Sequence, residues 1–174
     1  MCTAKEIDIS SWKVITRKRN RYKEKKTLIK PDEIYPNKSG VILFNKELNK
    51  IVLIQNKYLH LKGIKKFGLP KGHVNNNETY ENCAIRETFE ETGIKLNKSS
   101  LIFKIKISNT YYFPIILNKE VVLSPVDTTE VQDAKWILID NIKDYNINRE
   151  TKTFINRKLD VIKAIILKYY SLKT

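Results

Sequence analysis

Glu87, Glu90 and Glu91 place three carboxylates at i, i+3 and i+4 in a segment whose other residues follow a helical pattern. At about 100° per residue they share one face of a helix and are neighbours on it. Adjacent like charges weaken an isolated helix, and only Arg86 stands close enough in sequence to offset them. The rest of the chain sharpens the contrast: 33 Lys and Arg face 19 Asp and Glu, a formal net charge of +14. An ordinary solvated acidic face fits such a molecule poorly. A site where carboxylates and phosphates share a cation fits it better, because Mg2+ and Mn2+ take hard oxygen ligands and complete their shells with water and substrate phosphate.

The flanks of this segment read as its boundaries. Asn76 or Asn77 is a plausible cap for a helix over residues 78–92, and Gly93 suits a left-handed end. Ile85, Thr88, Phe89 and Thr92 are expected to face the core. Gly72, after Pro70-Lys71, sits in a turn that can offer a backbone carbonyl to a metal.

Val41 to Phe44 and Ile51 to Ile54 are apolar runs that read as a hairpin of buried strands. Residues 57–68 read as a basic loop. Leu101 to Ile107 alternates as a half-buried strand. Tyr111 to Leu117 with Glu120 to Leu123 suggests a second hairpin, and Val131 to Ile139 a further strand. Ile155, Leu159, Ile162, Ile166 and Tyr169 recur at helical spacing in one terminal helix over about 149–172. The pattern is an α+β sandwich with one domain over 38–174. Residues 1–37 form a basic N-terminal extension, with nine basic residues and a single acid, Glu24, between Lys13 and Lys30. Cys2 and Cys83 make no disulfide framework, no apolar run approaches a membrane span, and the N-terminus lacks a signal-like apolar core. These point to the cytoplasm.

Gly72, Glu78, Arg86, Glu87, Glu90, Glu91 and Gly93 keep every spacing of the signature of the Nudix hydrolases, and the stretch from Gly72 to Ile94 resembles it from end to end. Thr88 stands where that family usually carries an aliphatic residue, a difference of packing. The flanking strands extend the resemblance over about residues 38–140. The resemblance implies a Nudix-type α/β/α sandwich of mixed sheets with a catalytic helix. It also implies hydrolysis of a phosphoanhydride bond in a nucleoside diphosphate linked to another group, with Mg2+ or Mn2+ as cofactor. Glu87, Glu90, Glu91 and the Gly72 carbonyl are then the metal ligands, and Arg86 orients the acids. Glu78 is a structural or outer group. Glu90, Glu91, Arg86 and Glu130 are the catalytic candidates. Glu130, six residues before Trp136 at a strand entry, resembles the glutamate that several families of this type place there as base. His73 is within reach of substrate, and His60 reads as a surface imidazole.

The charge selects among substrates. A chain this basic attracts long or dense polyanions. Lys71 and Lys66, with Arg17, Arg19 and Arg21 of the extension, are the expected substrate contacts, and Trp12 and Tyr22 could stack on bases. Resemblance around Cys83 to Gly93 to messenger-RNA decapping enzymes favours 5′-capped RNA. Pro70 to His73 resembles dinucleoside polyphosphate and diphosphoinositol polyphosphate hydrolases, which is the alternative. An inactive RNA-binding module of the same fold is the reading of another class.

Overall fold

The computed structural model describes Lys5–Glu6 and residues 36–171. The basic stretch 13–30, with Trp12, Arg17, Arg19, Arg21 and Tyr22, lies outside the described residues.

The sheet is organised around β2 (Lys38–Asn45), whose residues from Ser39 onward are all buried. Its side chains alternate between two cores. Val41 and Leu43 join Val52, Ala84, Phe113 and Ile115 on one face. Ile42 and Phe44 join Leu53, Tyr112, Phe154 and Ile162 on the other. A strand covered on both faces has no polar side to show, which is why this segment reads as a continuous apolar run.

β3 (Lys50–Asn56) returns antiparallel to β2, with Phe44 opposite Ile51, as the sequence suggested. It continues along β8 (Val131–Leu138), to which it pairs over its whole length. The start of β2 pairs instead with the short β5 (Lys71–His73), and β4 (Phe67–Gly68) pairs the end of β3. On the other edge of β2 runs β7 (Thr110–Leu117), parallel to it across eight residue pairs. β7 turns back antiparallel onto β6 (Phe103–Ile107), and Lys5–Glu6, β1, pairs parallel to β6.

Helix α2 (Tyr80–Thr92) covers one face of this mixed eight-stranded sheet. Helices α3 (Arg149–Arg157) and α4 (Leu159–Ser171) supply Phe154, Leu159, Ile162 and Ile166 to the core on the other. The expected α/β/α sandwich of mixed strands is the fold observed.

Four local expectations are corrected. Residues 57–61 are a short helix, α1 (Lys57–Leu61), because the Asn56 carboxamide accepts from the Leu59 N–H and caps it. Glu120 to Leu123 is not a strand. Glu120 is drawn to Lys50 (Nζ–Oε1 2.8 Å) and the Val121 carbonyl accepts from the Trp136 indole N–H, so β7 forms its hairpin with β6. The terminal segment is two helices broken at Lys158. On a straight helix Phe154 and Leu159 would point about 140° apart, and the break brings both into one core. Finally α2 begins at Tyr80 and is capped by Thr79, whose hydroxyl accepts from the Asn82 N–H at 3.2 Å. Asn77 precedes the cap with a left-handed backbone, φ 64°, a conformation asparagine tolerates better than most residues.

Candidate active site

The Thr79 cap and the Gly93 stop fix the register of α2. Gly93 has φ 77°, and its N–H closes the last turn on the Phe89 carbonyl. A Cβ there would also meet the Ser124 carbonyl oxygen, so glycine is required twice over. The buried arc of the helix is Cys83, Ala84, Glu87, Thr88, Glu91 and Thr92. Thr88 and Thr92 are therefore core residues as expected, but Ile85 and Phe89 are only half-buried at the edges. Two of the three acids lie within the buried arc, where β5 passes beneath them.

That crossing builds the site. The Lys71 N–H donates to a Glu91 carboxylate oxygen at 2.7 Å. A Cβ on Gly72 would collide with the Glu87 carboxylate, so the lack of a side chain at 72 is what admits Glu87. Burial pushes the Glu91 carboxyl up to about 8, against the pull of the Lys71 N–H. Burial also raises Glu87, partly offset by Arg86.

Arg86 ties the acids together. Its Nη1 reaches Glu87 at 2.7 Å and Glu90 at 2.9 Å. Its Nε and Nη2 form a fork on Glu78 at 2.9 and 3.0 Å, and Nη2 also donates to the His73 carbonyl. Hydrogen bonds from Arg86 hold Glu78 below the usual carboxylate range. Such charge-assisted pairs are strong and directional. Arg86 is thus the bridge between the loop at 72–78 and the acids of the helix. Behind it, burial pushes the Cys83 thiol up to about 12, and the thiol points at the His73 carbonyl.

Glu130 arrives from a different direction. The end of α2 is held by the loop before β8: the Glu90 carbonyl accepts from both Val126 and Asp127, and the Thr92 carbonyl from Ser124. Asp127 then accepts from the Thr129 hydroxyl and N–H and from the Glu130 N–H. The Thr129 bonds hold Asp127 below its ordinary value. On the far side the Lys57 N–H donates to the Glu130 carbonyl at 2.7 Å, and Lys57 Nζ donates to the Thr128 carbonyl. The turn is clamped from both sides, with the Glu130 side chain exposed.

One cavity of about 560 Å³ collects Gly72, Arg86, Glu87, Glu90, Glu91 and Glu130, with Lys66 and Lys71 on its wall. His73 also lines it. His60 does not, and its Nδ1 lies 3.1 Å from the Gln55 carboxamide. Lys71 is shared with Glu150 at 3.7 Å. Sequence reasoning missed Asp127, Lys38, Asn56 and Asn148, which line the same cavity. A signal existed for Asp127: an aspartate followed by two threonines suits a side-chain-capped turn.

The donor types suit a hard divalent cation: the carboxylates of Glu87, Glu90, Glu91 and Glu130 line one cavity, and Gly72 leaves room for one of them. Among the described residues, no three acidic, histidine or cysteine side chains converge as placed into a ready-made cluster. Glu87 and Glu90 line the cavity while both are engaged by Arg86. Among the described residues no helix is long and apolar enough to cross a membrane.

Known proteins resemble this chain in sequence and in fold. The m7GpppN-mRNA hydrolase dcap-2 of Caenorhabditis elegans is 32% identical over 109 residues, 59% of this chain and 14% of its own length. Nudix hydrolase 6 of Arabidopsis thaliana is 27% identical over 122 residues, 66% of this chain and 43% of its own. The chain thus spans less than half the length of either relative. A crystal structure of a C. elegans Ap4A hydrolase binary complex superposes with a TM-score of 0.54 at 26% identity, over 73% of this chain and 98% of that one. A model of the NUDIX domain matches residues 35–158, a span that takes in the carboxylate helix, the loop beneath it and the Glu130 turn. The chain belongs to the NUDIX domain family.

Proposed function

We propose that this chain is a divalent-cation-dependent pyrophosphohydrolase acting on 5′-capped RNA, releasing a cap nucleoside diphosphate and a 5′-monophosphate RNA. The observation that carries the reading is the gathering of Glu87, Glu90, Glu91, Glu130 and Gly72, which lies in strand β5 and not in the expected turn, around one cavity, with Arg86 bridging the helix acids. Identity to dcap-2 and the net charge of +14 support an RNA substrate. Lys71, Lys66 and the arginines at 17, 19 and 21 complete the proposed substrate contacts, in a cytoplasmic protein.

Glu87, Glu90, Glu91 and the Gly72 carbonyl would hold Mg2+ or Mn2+. When bound, such an ion supplies charge neutralisation at the phosphates and a more acidic water. The chain's own residues do the rest. Arg86 sets the acids against the 72–78 loop. Lys71 and Lys66 face the phosphate bridge and fix it in the cavity. Glu130, free of Arg86 and exposed to the cavity, takes the proton of the attacking water. The water oxygen bonds to a bridge phosphorus, the bridging P–O bond breaks, and the phosphate of the far fragment leaves.

A second reading has its own support. The superposition on the Ap4A hydrolase covers 98% of that protein, against 14% of dcap-2, which favours a compact enzyme for dinucleoside or diphosphoinositol polyphosphates. A binding module without activity would not need Glu87, Glu90, Glu91 and Arg86 together. The deciding experiment compares kcat/KM with Mn2+ on capped RNA, free cap dinucleotide, diadenosine polyphosphates and diphosphoinositol phosphates. Preference for capped RNA is the expected outcome. Faster cleavage of a small polyphosphate promotes the second reading, and no turnover on any of them leaves the binding module.

A further inference from the structure

Asn56 and Asn148 line the carboxylate cavity, and the chemistry above gives neither of them a part. Each caps a helix with its side-chain oxygen. The Asn56 Oδ1 accepts from the Leu59 N–H at 3.1 Å, and the Asn148 Oδ1 from the Thr151 N–H at 2.8 Å. The caps fix which end of each carboxamide is which, because of its two ends only the oxygen can accept from a backbone N–H. The Nδ2 ends therefore point elsewhere, and among the described residues neither nitrogen has an acceptor. The backbone holds both side chains in place. Asn148 donates its own N–H to the Phe67 carbonyl at 2.8 Å. Asn56 stands where the register of β3 on β8 shifts, a break of the kind that re-aims a side chain. Gly68, another residue of the cavity wall, makes room: a Cβ there would collide with Asn148 Nδ2 while staying 3.9 Å from the oxygen. Charged donors beside so many acids are taken up by them, Arg86 by Glu78, Glu87 and Glu90, and Lys71 by Glu150. A neutral NH2 is not, and its nitrogen is no ligand for a hard cation. What remains for it is water or an acceptor brought in with the substrate.

We propose that the NH2 groups of Asn56 and Asn148 are substrate donors, each hydrogen-bonded to a non-bridging oxygen of the phosphate chain that the carboxylate cavity holds. The proposal rests on the pyrophosphohydrolase reading above and applies to either substrate of it, since both present phosphate oxygens. With the oxygen of each carboxamide engaged by a cap, the pair offers donors only. It therefore accepts phosphate and refuses groups that must themselves donate. The charge on a phosphate makes each bond stronger than one between neutral groups. Because the donors are neutral, they hold the chain without drawing the glutamates away from a cation.

The test follows the side-chain amides by heteronuclear NMR in the full chain with Mg2+, on titration with methylenediphosphonate, which has no base and no hydrolysable bridge. The Asn56 and Asn148 NH2 signals, assigned by their loss in serine variants, should shift along one saturation curve. Those of Asn97, which does not line the cavity, should stay still. Kinetics give the second readout. Asn148→Ser and Asn56→Ser keep an oxygen that can cap the helix and lose the donor. Each should raise KM about tenfold at nearly unchanged kcat and thermal midpoint, the sign of a contact made equally in ground and transition states. Gly68→Ala, which displaces the Asn148 amide, should reproduce the KM of Asn148→Ser. No binding of the diphosphonate, saturation with either amide unmoved, or an unchanged KM in the serine variants would overturn the donors. The outcome is separable from hydrolysis. Shifted amides in a protein that cleaves no anhydride would keep the donors as a phosphate-binding pair and remove the hydrolase reading. Turnover with unmoved amides would keep the hydrolase and remove the donors.

Discussion

At the scale of single residues, the site separates acids by what holds them. Glu91 is buried against the Lys71 N–H, Glu87 and Glu90 are engaged by Arg86, and Glu130 stands exposed in the same cavity. Glu90→Gln and Glu91→Gln keep shape and remove charge, so each should lower kcat at least about a hundredfold. Turnover and metal affinity, measured together on the preferred substrate, check this; two near-normal enzymes would dissolve the metal assignment. Glu130→Gln should behave differently, with kcat reduced and KM and metal affinity nearly unchanged. An unaltered kcat would return Glu130 to an ordinary surface acid. The helix acids, Arg86 and Gly72 were legible in the sequence because their chemistry depends on fixed local spacing. Asn56 and Asn148 were not, since they enter the cavity only through long-range pairing of β3 and the placing of α3. The burial of Glu87 and Glu91 was also hidden: helical spacing shows that acids share a face, and only the sheet beneath decides whether that face meets water.

At the scale of elements, α2 is defined by its two ends. Gly93→Ala must adopt φ 77° and crowd the Ser124 carbonyl, so it should destabilise the fold by roughly 1–2 kcal/mol for the left-handed backbone alone, with the crowding added. Because the same loop carries Asp127 and Glu130, kcat should fall with stability. Denaturant midpoints and turnover on one preparation read both; a midpoint unchanged from wild type would mean the helix end is not the anchor described. The strand runs of β2 and β3 and the helix of the carboxylates were readable, because burial on two faces and helical spacing leave strong local patterns. The division of the last segment into α3 and α4 was not, because Phe154 falls outside the apolar stripe that links Leu159 to Ile166. The loss of the expected Glu120–Leu123 strand came from contacts with Lys50 and Trp136, each distant in sequence.

At the scale of the whole molecule, a net charge of +14 accompanies a cavity lined by four glutamates, Glu87, Glu90, Glu91 and Glu130. The basic residues of the N-terminal extension are outside the described structure, but their charge makes a prediction. Reversal of Arg17, Lys18, Arg19 and Arg21 should raise KM for long capped RNA, while cleavage of a free cap dinucleotide stays close to wild type. Kinetics against RNA length measure this, and an equal effect on both substrates would deny the extension a part in holding RNA. The arginine that bridges the helix acids has a practical consequence. It serves as an internal counter-ion, so the folded chain does not need a divalent cation to offset its own acids, unlike small domains that unfold when stripped. Chelator treatment should therefore leave the thermal midpoint within a few degrees of the untreated value, and one stripped batch can be reloaded in turn with Mg2+, Mn2+ or Ca2+ to rank ions on identical protein.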